Sequence, residues 1–303
     1  MSDQLKKYLF TDHSTRVQHV KLSNTWQTGL AHQTYPECVQ KLLGELLAAA
    51  TLLAGNLKFD GSFILQIQGD GPIALLVVEC SSSMQVRATV SLREDQQLPV
   101  DADLQSLLNV NGQGRCVVVL MPEKKEGDFQ PYQGVVPLEG NSVAEILETY
   151  MRNSEQLDTR LWLNADSTHC AGLLLQRLPG QGGKQGLSES LETWERSITL
   201  ASTLTQDELL ELDAEQLIHR LFWQEELSTY PAQDIEWHCP CTRERVADML
   251  KMLGADEIES ILETQDKVHV ACNFCGKPYE FDAVDCAALF MDPDQLPASR
   301  TVH

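Results

Sequence analysis

The 303-residue sequence has no apolar run approaching the about 18 to 20 residues that a membrane helix needs. Its longest, such as the stretch 73–78, are of strand length. The opening residues, Met-Ser-Asp-Gln-Leu-Lys-Lys, carry no apolar core or small-residue cleavage site, so export is not expected and the expected address is the cytoplasm. Basic residues are also scarce. Only 23 lysines and arginines stand against 44 acids, a formal net charge of −21. A nucleic-acid binder needs a basic stripe to displace counterions from phosphates, and short patches such as Lys124-Lys125 do not supply one. DNA and RNA are therefore not expected as partners, and neither is a membrane.

Two enzyme signatures are missing as well. The glycines around Lys184 suggest a phosphate-binding loop, but Gln185 stands where Ser or Thr should hold magnesium. No Gly-x-Ser-x-Gly nucleophile turn occurs. The expectation is a protein that is not an enzyme.

What is present reads as an α+β protein. Apolar alternation predicts strands at 16–22, 62–68, 73–79, 84–90, 115–121, 159–164 and 168–176. Gly69-Asp70-Gly71-Pro72 suits a tight turn between the second and third of these. Helices are predicted over 36–53, where Cys38, Leu42, Leu43, Leu46, Leu47 and Ala50 recur at helical spacing, and over 141–151, capped by Asn141 or Ser142. Strands consecutive in sequence favour an antiparallel-rich sheet.

The glycine-rich stretch 179–186 is read as a flexible linker closing a mixed α/β core domain, residues 1–180. The stretch 187–230 has a helical pattern, with Leu200, Leu204, Leu209, Leu212, Leu217, Leu221 and Phe222 set among acids. Across 187–263 there are 18 acidic and 5 basic residues. Such a segment can pack but repels itself, so residues 181–234 are expected to form a helical linker of conditional stability. Residues 235–303 form a small third part.

Nine cysteines without an export signal point to thiols or metal rather than a disulfide framework. Cys38, Cys80, Cys116 and Cys170 are scattered, and no role is assigned to them. Cys239-Pro240-Cys241 and Cys272-Asn273-Phe274-Cys275-Gly276 are two tight pairs. In extended backbone, residues i and i+2 project to one side, and a glycine after Cys-x-x-Cys permits the turn that brings both sulfurs inward. Four thiolates suit one structural zinc ion, Zn2+; unligated core cysteines are the alternative. His238 and His269 are expected to be bystanders, and Cys286 a buried or spare thiol. Arg243, Arg245 and Lys277 add positive charge close by in sequence. Spacing does not itself distinguish a purely structural zinc from a reactive one.

These pairs, at this separation, resemble the heat-shock protein 33 family, the redox-regulated holdase chaperones of bacteria. Gly69-Asp70-Gly71-Pro72, Tyr132-Gln133-Gly134, Ser154-Glu155-Gln156, the stretch 172–176 and Leu221-Phe222 extend the likeness over about residues 5–290. The resemblance implies an α/β core, a helical linker folded over it and a C-terminal zinc domain. It implies one zinc per chain in a reduced, inactive monomer. Oxidation would pair Cys239 with Cys241 and Cys272 with Cys275, release zinc, and unfold the zinc domain and linker. The exposed apolar surface would bind unfolding client proteins without ATP, and the oxidised form would be a homodimer. Pro240 and the five further cysteines depart from the family's usual pattern and bear on the switching threshold. A non-switching zinc-ribbon module for protein interaction is the other reading that the residues permit.

Overall fold

The computed structural model describes residues 3–94, 96–98, 102–123, 131–179 and 184–290. Lys124-Lys125, residues 180–183 of the glycine-rich stretch and residues 291–303 lie outside them. The chain divides into a first unit ending at His238 and a second beginning at Cys239.

The first unit opens with strands β1 (Gln4–Phe10) and β2 (Thr15–Leu22), then helices α1 (Asn24–Leu30) and α2 (Glu37–Ala54). A meander follows, β3 (Gly61–Gln68), β4 (Ile73–Ser81) and β5 (Gln85–Leu92), then α3 (Leu104–Leu108), β6 (Arg115–Pro122) and β7 (Tyr132–Pro137). Helix α4 (Val143–Asn153) precedes β8 (Thr159–Ala165) and β9 (Cys170–Arg177). Three helices come next: α5 (Lys184–Ala201), α6 (Gln206–Glu211) and α7 (Ala214–Phe222). The unit ends in three short strands, β10 (Leu227–Thr229), β11 (Gln233–Asp234) and β12 (Glu236–Trp237).

These strands make two six-stranded sheets. One runs β10-β1-β2-β9-β8, with β11 also on β1; the other runs β12-β5-β4-β3-β6-β7. Every pairing is antiparallel except β12 on β5, so the α+β, antiparallel-rich reading is correct. Helix α2 touches strands of both sheets and buries 14 of its 18 residues. A helix apolar on nearly every side has no solvent face to offer, which places it in the core. Ser142, one of the two expected caps of α4, accepts from the Glu145 N–H at 3.2 Å. The expected turn joins β3 to β4, where the Gly69 N–H donates to Ala74 O at 3.0 Å.

The first sheet is buried on both faces. Val20, Leu22 and Leu174 join the cluster around α2. Their neighbours Val17, Leu173 and Leu175 point the other way, into a second cluster with Trp194, Leu209, Leu217, Leu221 and Phe222 of α5–α7. Phe10 meets Phe222 edge-on, with ring centroids 5.7 Å apart. Capping boxes start α6 at Thr205 and α7 at Asp213, and Arg196 pairs with Glu225 at 2.6 Å. The acidic helices are thus held by an apolar face and a few ion pairs at its rim.

Several expectations need correction. Lys184–Gly186 belong to the first turn of α5 rather than a loop, because first-turn amides need no intrahelical partner and Gly186 costs little there. The helical pattern to 230 stops at Phe222; Leu227–Thr229 instead add a strand to the open edge of β1. Met84 sits in the β4–β5 turn at φ +61°, so β5 begins one residue later. Thr168 and His169 form a turn on the Asp166 carboxylate, each N–H donating at 2.7 Å. Strand β1 and the edge strand β7 lie outside the sequence-derived set altogether.

Helix α2 approaches the first sheet so closely that a Cβ on Gly44 would lie 2.4 Å from the Ala165 Cβ. Gly44→Val is expected to lower stability by about 1–3 kcal/mol through overpacking, read as a lower urea midpoint. An unchanged midpoint would mean that α2 and β8 separate at little cost.

Candidate metal centre

The second unit contains α8 (Arg243–Leu253), α9 (Ala255–Thr264), the hairpin β13 (Lys267–Ala271) and β14 (Pro278–Asp282), and α10 (Ala283–Phe290). Its core is small: Val246, Leu250, Ile258, Val268, Tyr279, Phe281 and Cys286 are the buried hydrophobic residues. Cys239 and Cys241 precede α8 in irregular backbone, and Thr242 caps that helix by accepting from the Arg245 N–H at 3.3 Å.

The other pair lies in the β13–β14 turn. The Gly276 N–H donates to Cys272 O at 2.7 Å, and the Cys272 N–H donates to Lys277 O at 3.0 Å. Gly276 closes this loop at φ +68°, a left-handed conformation that a side chain would strain. The glycine after Cys-x-x-Cys therefore does what its position suggested.

All four sulfurs lie within 4.8 Å of one another. The Cys239–Cys272 separation is 3.6 Å and the Cys241–Cys275 separation 3.4 Å. Four sulfurs at about 2.3 Å from one ion sit about 3.8 Å apart at the corners of a tetrahedron. Those two separations are within a few tenths of an ångström of that spacing and the rest are within 4.8 Å, so the donor set and its grouping both suit a soft divalent cation. All four residues are half-buried, and no other such group occurs among the described residues.

The proton distribution on this cluster makes the same point. Burial raises the Cys239 thiol, and burial with its sulfur neighbours pushes Cys275 up to about 12. Burial also opposes ionisation of Cys241, but hydrogen bonding from Tyr279 and the other thiols prevails and brings it down to about 7. Sulfurs this close cannot all carry charge unaided, so the cluster concentrates its negative charge on Cys241. A divalent cation would relieve the repulsion and let all four ionise.

His269 turns to Glu280, with Nδ1 at 3.6 Å from the carboxylate. The His238 N–H donates to Val86 O of β5. Neither histidine belongs to the sulfur group. Cys286 is buried in the module core on α10, away from the group, and burial raises its thiol. In the first unit, burial pushes Cys80 and Cys116 up to about 12 and Cys170 well up, so all three are poor nucleophiles. Cys38 is half-buried.

The expected positive charge beside the thiols is placed differently. The Arg243 guanidinium lies 4.2 Å over the Phe281 ring and pairs with Asp285 at 2.7 Å and Glu280 O at 2.6 Å. It braces α8 against β14 and α10. Lys277 lies over the Tyr279 ring at 5.4 Å. Sequence reasoning also missed Tyr279 as a neighbour of Cys241: its buried hydroxyl has no nitrogen or oxygen partner, and Cys241 raises its pKa.

A family profile described as Hsp33 protein matches residues 3–282. The 33 kDa chaperonin of Methylobacillus flagellatus is 41% identical over 304 residues, covering 100% of this chain and 99% of that protein. That of Ectopseudomonas mendocina is 42% identical and covers 100% of both chains. The crystal structure of the 33 kDa chaperonin (heat shock protein 33 homolog) from Thermotoga maritima superposes with a TM-score of 0.77 at 23% identity, over 95% of this chain and 98% of that one. The fold is therefore shared, and by sequence the chain belongs to the Hsp33 family of non-enzymatic holdase chaperones.

Proposed function

We propose that this chaperone is a cytoplasmic, ATP-independent holdase whose activity is set by one zinc ion per chain, held by Cys239, Cys241, Cys272 and Cys275 while reduced. The observation that carries the reading is a four-sulfur cluster inside a unit with seven buried hydrophobic residues among those described. A core of that size contributes little, whereas structural zinc is worth about 10–16 kcal/mol of folding. Fold and ligand set therefore stand or fall together.

Peroxide would oxidise one thiolate of a pair to sulfenic acid, and its partner would displace water to close the disulfide. Each pair gives up two electrons, and one peroxide is reduced to two waters. The proposed bridges are Cys272–Cys275 and Cys239–Cys241, within the motifs. The contacts at 3.4–3.6 Å run between the motifs instead. Closing Cys239–Cys241 would also demand backbone rearrangement wherever the pair is extended, since an extended i to i+2 Cα distance is near the ~6.8 Å upper limit for a disulfide. Oxidation thus replaces a compact cross-braced cluster with two local bridges that no longer join β13–β14 to the segment before α8.

With the module unfolded, the acidic helices α5–α7, residues 184–222, are the next element to open. Their departure would bare Tyr8, Phe10, Val17, Leu173 and Leu175 on the sheet, and Trp194, Leu217, Leu221 and Phe222 on the helices. These apolar faces are the candidate surface for unfolding client proteins, and for the homodimer of the oxidised form.

Three outcomes are expected. Chelating the zinc of reduced protein should abolish the protection of residues 239–290 from hydrogen exchange while β3, β4 and β6 stay protected; a module that keeps its protection would not need the metal. Cys239→Ser should weaken zinc binding in a chelator competition and loosen α5–α7 under reducing conditions, and normal affinity with normal helix content would remove Cys239 from the ligand set. Peroxide at mild heat-shock temperature should release zinc stoichiometrically as suppression of client aggregation appears, both reversed by reductant and zinc. Zinc retained, or lost without gain of activity, would favour the non-switching zinc-ribbon module.

A further inference from the structure

Beneath the start of α7, a 470 Å³ cavity separates that helix from the first sheet. His19, on the outer face of β2 beside Val17, lines it and is 2% exposed. Its Nε2 is buried without a hydrogen-bond partner. This imidazole is a buried titratable group of the helix–sheet seam that the cysteine chemistry leaves unused.

Cations crowd it from the sheet side. Lys6 lies opposite His19 in the β1–β2 pairing and bonds Glu215 of α7. Lys21, two residues along β2, donates to Glu211 O at 2.9 Å and Leu212 O at 3.4 Å at the end of α6. The carboxylates facing it are already engaged. Glu215 is taken by Lys6, and Asp213 accepts from the Gln216 N–H at 2.9 Å as the cap of α7. Asp3 accepts from the Ser23 and Thr25 N–H groups, at 2.9 and 2.6 Å. His169, from the β8–β9 turn, also lines the cavity and bonds Thr168. A proton on His19 would put a third cation between two lysines, facing carboxylates that are already bonded to other groups.

We propose that mildly acidic conditions release α6 and α7 from the sheet by protonating His19, without oxidation of any cysteine. The proposal rests on the reading of α5–α7 as the element that opens. Burial first, then Lys21 and Lys6, hold the docked imidazole down at about 4, against the opposing pull of Asp213 and Glu215. Once released, His19 regains an ordinary value near 6.5. A group depressed on docking favours the open state as pH falls from about 6.5 towards the docked value, by at most about tenfold per pH unit. Glu215 acts in a different window. Its bond to Lys6 holds its carboxyl below the usual range, so it stays ionised across the mildly acidic range in which the open-state His19 titrates.

The test is hydrogen exchange of the full-length, reduced, zinc-loaded protein from pH 7 to pH 5, corrected for chemical exchange rates, with bound zinc measured in each sample. The open population of residues 206–222 should rise about fivefold between pH 6.5 and 5.5. In His19→Gln and His19→Leu it should stay flat. A second measurement does not depend on the variants folding: the His19 imidazole, followed by NMR in the wild-type protein, should titrate below pH 5. A titration near pH 6.5, a flat wild-type response, or the same response in both variants would overturn the proposal. A peroxide arm at pH 7 separates the two readings. Opening with peroxide but not with acid removes the histidine latch alone, whereas opening with acid but not with peroxide removes the oxidative role of the helices and leaves the latch standing.

Discussion

A sheet whose strands are apolar on both faces must be covered twice, and the first sheet of this protein is covered by two unlike layers. On the inner side lies α2, buried nearly all round and packed without room for a methyl group at Gly44. On the outer side lie α5–α7, amphipathic and rich in acid, joined through one apolar stripe and a rim of ion pairs. Removing α2 would dismantle the core. Removing the outer layer would expose apolar surface on a sheet whose other face α2 still covers. That asymmetry is what a protein needs if it is to present a sticky face on demand.

The second unit has the opposite problem. It has too little apolar surface to cover, and four sulfurs stand where a larger domain would have a core. Like charges brought this close resist compaction unless a cation joins them. On the proposed reading, the same feature would make the module stable when loaded and sensitive to any chemistry that removes thiolates. Its remaining brace, Arg243 across Phe281, Glu280 and Asp285, ties three elements but is half-exposed, so it contributes modestly by itself.

Much of this was legible in the sequence, for definable reasons. Helix α2 and the β3–β4 hairpin are visible because periodicity and turn chemistry agree there. The four cysteines are visible because metal geometry constrains spacing, and Gly276 because only glycine turns cheaply at that place. Strand β1 was hidden by Lys6-Lys7, whose charges reach to Glu215 and Gly55 at the sheet's margin. Strands β10–β12 were hidden by brevity, since two or three residues carry no period. Tyr279 beside Cys241 and His19 beneath α7 are products of packing that no local pattern encodes. Pairing the helices with the outer face of β1, β2 and β9 likewise required the register of the sheet.

The short strands β10–β12 have a mechanical consequence. Between α7 and Cys239, the chain adds β10 and β11 to one sheet and β12 to the other, each through two or three residue pairs. Trp237 fills the space that a side chain at Gly29 would need. Disorder beginning at Cys239 would not reach α7 in one step; it would peel first β12, then β11, then β10, each rupture small beside the cost of losing a whole helix. The segment works as a zip with three teeth. On the proposed reading, it would hold against brief fraying of the module and transmit only a loss of structure that lasts long enough to open all three.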